Sequence, residues 1–179
     1  MSLVPAAILT LAAVLLQEGL EPWWRLGGVA PEPLLVLVMY AALVGPAVPA
    51  VRLAVVGGLL ADLLGSPFEG PAIAGPRTLG YVVGAYAVVL ARGSLFRGSV
   101  VTLVLMVLLG GFFAELVATS LVTLRGLGPL PGGPPLGWVP SRELRHRVGR
   151  LLLSAAAAVP LGLVLFALRR WSGLERGRE

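Results

Sequence analysis

Apolar residues fall into six runs along this chain, at about 3–16, 33–48, 50–64, 71–90, 99–124 and 148–168, separated by short polar or Pro/Gly-rich breaks. About 20 apolar residues are needed for a helix to cross a hydrocarbon core near 30 Å thick, so several runs are short. Pro5, Pro46, Pro49 and Pro160 lie at or inside them, and such prolines are tolerated in lipid where neighbouring helices or water satisfy the freed carbonyls. The pattern predicts an all-α polytopic membrane helix bundle of about six transmembrane helices, packed and partly broken, in a single integral membrane domain over 1–179. The fifth run holds Glu115 as its only charge between Arg97 and Arg125. As one helix it reaches about 40 Å, which forces it to tilt or project.

Composition sharpens this picture. Hydrophobic residues make up 57% of the 179 residues and charged residues 13%, against about 25% charged in soluble domains. All 14 basic residues are arginine, and the net charge is +5. They stand between apolar runs, as topology determinants and headgroup anchors do, with no basic face interleaved with aromatics to suit nucleic acid. Cysteine is absent, which excludes disulfides and thiolate metal sites. Met1–Pro5 lacks a basic n-region and Leu15–Glu18 offers no small-residue cleavage site, so the first run is expected to remain as a span.

Between the fifth and sixth runs, 125–147 reads as a Pro/Gly-rich connector followed by an amphipathic helix lying at the membrane interface. Ser141 suits its N-cap, Glu143 and Arg147 form an i,i+4 pair, and Trp138, Arg142 and Arg145 serve as interfacial anchors. With six spans and both termini cytoplasmic, seven arginines fall on each side. The Glu18–Glu32 loop with Trp23 and Trp24 reads as external and the Arg-rich tail as cytoplasmic, while the Arg142–Arg150 cluster opposes that orientation.

Intramembrane charge marks the candidate site. A carboxylate at mid-helix costs about 2.5–3.5 kcal/mol on insertion scales, so Asp62, Glu115 and Arg77 are expected to face protein, water or one another. A structural ion pair or helix cap explains them most simply; a polar site for a partner or ligand, or a proton relay, are the sharper alternatives. Desolvation also allows Glu115 to be neutral. Gly57, Gly58, Ala61, Gly80, Gly84 and Gly110 are candidates for close helix packing, and enlarging Gly80 or Gly84 is expected to weaken a complex with a partner helix. His146, flanked by arginines, reads as a headgroup-facing residue. Gly57–Gly70 forms no phosphate loop and Gly65-Ser66-Pro67 no nucleophile elbow, so no catalytic residue, metal or cofactor is expected.

The order Gly57-Gly58-Leu59-Leu60-Ala61-Asp62-Leu63-Leu64, Gly65-Ser66-Pro67-Phe68-Glu69-Gly70 and Gly80-Tyr81-Val82-Val83-Gly84, with the second run opening Pro33-Leu34-Leu35 and Glu115 in the fifth, resembles the MreD family of rod shape-determining membrane proteins. The resemblance implies a non-catalytic scaffold of cell-wall elongation in the bacterial cytoplasmic membrane. It further implies association with MreC, and through it with MreB, RodA and the RodA-associated transpeptidase in peptidoglycan synthesis. It also implies an architecture similar to the substrate-binding subunits of energy-coupling-factor vitamin transporters, so a small-molecule-binding transport subunit is the rival reading.

Overall fold

A computed structural model describes residues 3–24, 29–64, 75–94, 98–126 and 139–168. Among them the chain forms six α-helices: α1 (Leu3–Trp24), α2 (Pro33–Val44), α3 (Ala47–Leu64), α4 (Pro76–Ala91), α5 (Val100–Gly126) and α6 (Pro140–Ala167). The all-α bundle expected from the apolar runs is therefore present. Two segments, Val100–Leu124 with mean hydropathy 2.5 and Leu144–Ala167 with 2.0, are long and apolar enough to cross a membrane.

The bundle is built around α2. Every residue from Pro33 to Leu43 is buried, and α1, α3, α4, α5 and α6 all pack against it. That follows from a sequence apolar on every side, which has no polar stripe to turn outward. Twelve residues give a helix of about 18 Å. It starts with Pro33 in the first turn, where a missing N–H costs nothing, and stops before Gly45-Pro46, since a residue preceding proline disfavours helical geometry. At its far end Tyr40 donates a hydrogen bond to the Leu165 carbonyl (3.0 Å) and meets Phe166 edge-on at 5.2 Å between ring centroids.

The remaining helices wrap α2 in chain order, α3 on α4, α4 on α5 and α5 on α6. Small residues set how close they come. A Cβ on Gly80 would run into the backbone carbonyl of Ala114, one on Gly84 into that of Gly110, and one on Gly58 into the backbone of Thr78. Gly57 faces α2, where a Cβ would lie 3.3 Å from a Val38 methyl, and Ala61 is buried. The six small residues thus pack the helices of this chain on one another. The expectation that Gly80 and Gly84 receive a partner helix is corrected: both are occupied by α5.

The helix expected over 140–147 is continuous with the last apolar run: α6 runs unbroken from Pro140 to Ala167, through Pro160. Its buried stripe includes Arg147, Leu151, Ser154, Ala155 and Ala158, so the helical period continues from the charged into the apolar part. The connector 127–138 lies outside the described residues.

Candidate functional site

Among the described residues the buried charged side chains gather toward one end of the bundle, where α2, α4 and α6 begin and α3 ends. Asp62, in the last turn of α3, is buried and accepts the backbone N–H groups of Gly75 (2.8 Å), Arg77 (3.0 Å) and Thr78 (3.0 Å), and the Thr78 hydroxyl (2.7 Å). These amides belong to the first turn of α4, which has no intrahelical acceptors. The N-cap residue, Gly75, has no side chain to offer; its φ of 128° is a conformation glycine reaches without strain. Asp62 supplies the cap from a neighbouring helix, with a negative charge at the positive end of the α4 dipole.

Arg77 does not turn its guanidinium to Asp62. It reaches Glu32, one residue before α2, with Nη2 3.1 Å from Oε1. Arg150 of α6 meets the same oxygen at 3.2 Å, and the Tyr81 hydroxyl donates to Oε2 at 3.4 Å. The Glu32 backbone N–H donates to the Ser154 hydroxyl (2.8 Å), which in turn donates to the Arg150 carbonyl (2.9 Å). Glu32 thereby ties the start of α2 to α4 and α6. Burial alone favours its neutral form; Arg77, Arg150 and Arg147 together outweigh that and hold its carboxyl below the ordinary glutamate value.

Glu115 is paired as well. Arg147 Nη1 donates to its Oε2 at 2.6 Å, and the arginine side chain is 1% exposed, so this charge pair between α5 and α6 is removed from solvent. Buried pairs of this kind contribute little net stability relative to apolar replacements, yet losing one partner costs about 3–5 kcal/mol. One turn beyond Glu115, Thr119 is buried and its hydroxyl has no hydrogen-bond partner among the described residues.

Asp62, Arg77 and Glu115 therefore do belong to one polar region, linked through residues that pattern reading passed over. Glu32 stood in a segment read as external loop, and Arg147 and Arg150 in one read as interfacial. The spacing of Arg147, Leu151 and Ser154 on one helical face was the available signal. Of the anchor residues, Arg145 is exposed on α6; Trp138 and the side chain of Arg142 lie outside what is described, as does Glu69. His146 is exposed, in keeping with a surface role. No group of three or more His, Cys, Asp and Glu suited to a metal occurs among the described residues. At the opposite end Arg92 Nη1 donates to the carbonyls of Ala42 (2.8 Å) and Gly45, closing the C-terminus of α2 with positive charge. Comparison with protein-family models, curated proteins and solved structures finds no match for the chain.

Proposed function

We propose that the chain is a non-catalytic polytopic membrane scaffold of the MreD kind, multi-pass in the bacterial cytoplasmic membrane, which holds the single transmembrane helix of an MreC-like partner of the wall-elongation machinery. The observation that carries this reading is where the polar chemistry goes. Asp62, Glu32 and Glu115 are spent on helix starts and on the arginines of neighbouring helices, while long apolar faces point outward, among them Leu79, Val83, Tyr86 and Leu90 on α4 and Leu105, Leu109, Phe112 and Leu116 on α5. Such an arrangement suits a body that works through its outer helix surfaces.

The ion pairs also bear on orientation. Three of the seven arginines assigned to the outer side, Arg77, Arg147 and Arg150, are engaged with Glu32 and Glu115 inside the bundle. Charges used in packing do not act as loop charges; with Arg92 on the inner side likewise spent on the end of α2, four remain against six, which favours cytoplasmic termini.

Co-expression with an MreC-like single-span protein and pull-down in mild detergent tests the reading. Stable co-purification is the expected result. The competing reading, a small-molecule-binding transport subunit, draws on the buried Thr119 hydroxyl, one turn from Glu115 and without a hydrogen-bond partner among the described residues. Absence of co-purification together with saturable binding of a vitamin-sized ligand would establish it instead.

A further inference from the structure

Along α6 the residues facing away from the bundle are Arg145, Val148, Leu152, Ala156, Val159 and Leu163, all exposed. Steps of three and four place them in one stripe. The stripe changes character once: from Val148 onward it is apolar, and before Val148 it carries a guanidinium with the exposed His146 beside it. Arg77, Arg147 and Arg150 each face a carboxylate. Arg145 makes no ion pair among the described residues, so its charge is directed outward from the end of an apolar face.

We propose that this stripe seats an anionic phospholipid, with Arg145 at the phosphate and one acyl chain along Val148, Leu152 and Ala156. The dimensions agree: half of a hydrocarbon core near 30 Å is about 15 Å, the rise of about ten helical residues, which runs from Val148 to just past Ala156. The small Ala156 side chain leaves room for the chain end. A guanidinium matches phosphate geometry with two parallel N–H groups, and its aliphatic stem lies along apolar surface while the head reaches the polar level. Charge complementarity selects an anionic over a zwitterionic headgroup, since each basic residue near an anionic surface contributes about 1 kcal/mol. Arg52 on α3, exposed ahead of exposed Val55, Val56, Leu59 and Leu63, repeats the arrangement from the opposite end without a histidine neighbour.

The proposal rests on the membrane reading, so alkaline carbonate extraction of native membranes comes first; release of the chain would overturn the membrane reading itself. For a chain that stays in the membrane, native mass spectrometry of the full protein in mild detergent with added phosphatidylglycerol or phosphatidylcholine reads the seat directly. Phosphatidylglycerol is expected to be retained in preference, with affinity falling at least about fivefold in Arg145→Gln/His146→Gln. Arg145→Lys should keep most of the binding. Millimolar inorganic phosphate should not displace it. Equal retention of the two lipids, unchanged binding in the double variant, or displacement by phosphate would each overturn the seat. Because Arg145 is exposed, the melting temperature of the variants should match the parent; a loss of binding accompanied by a large fall in melting temperature would count against a lipid contact and for a structural one.

Discussion

Replacing Asp62 removes the cap of a helix to which it does not belong. In Asp62→Leu the amides of Gly75, Arg77 and Thr78 lose their acceptor, and each unmet buried donor costs about 1–3 kcal/mol. Only the Arg77 amide bond is fully buried, those of Gly75 and Thr78 being partly so. Taking about 2 kcal/mol for the first and about 1 for each of the others gives about 4 kcal/mol. Asp62→Asn keeps one oxygen able to accept from two donors, but it turns an amide NH2 toward the third and gives up the charge at the helix start, for about 2 kcal/mol. For a chain of this size these correspond to falls of roughly 12 °C and 6 °C. The absence of native cysteine allows a direct assay: Ala54→Cys, at a fully buried position, gives one thiol whose reaction with a fluorogenic maleimide reports unfolding in detergent. A leucine variant melting within about 2 °C of the parent, or an asparagine variant falling as far as leucine, would refute the capping account. Arg77→Gln combined with Asp62→Asn should couple only weakly, because Asp62 holds the Arg77 backbone N–H while the guanidinium is turned to Glu32; coupling as large as that of a direct ion pair would contradict that.

Glu115→Leu and Arg147→Met should each lower stability by about 3–5 kcal/mol while the double variant recovers most of the loss, measured by the same thiol assay; equal and additive losses would show that the pair does not act as a unit. Gly80→Leu and Gly84→Leu should disrupt the fold and not merely a partner complex, because α5 backbone lies against both; variants that melt like the parent would overturn that packing. In intact cells, Trp23→Cys should react with an impermeant maleimide and Gly98→Cys should not, and the reverse pattern would invert the proposed orientation.

All six helices were readable from apolar runs, because burial or lipid exposure on all sides selects the same residue types. Their ends were less so. The first helix continues past residue 16 to Trp24, where composition alone signals a loop, and the last begins at Pro140 where a cluster of arginines suggests a solvated surface. Hydropathy counts a charged residue as an outside residue; it has no way to register that Arg147 and Glu115 cancel each other's need for water across two helices far apart in sequence. Glu32 was hidden for the same reason. Asp62 was legible as a residue requiring explanation, yet its partners are backbone amides, which every residue carries and no sequence pattern can mark.

The short central helix has a consequence for biogenesis. At about 18 Å, α2 cannot bridge a bilayer by itself, and its length is instead set by the protein that surrounds it. A nascent chain emerging from an insertion channel would present it before α4, α5 and α6 exist to cover it. Its tight Gly45-Pro46 link to α3 provides the way through: in a membrane the two segments would enter as a hairpin, and α2 would be covered once the later helices close around it. On the membrane reading proposed above, burial of α2 follows insertion and is completed by α4, α5 and α6.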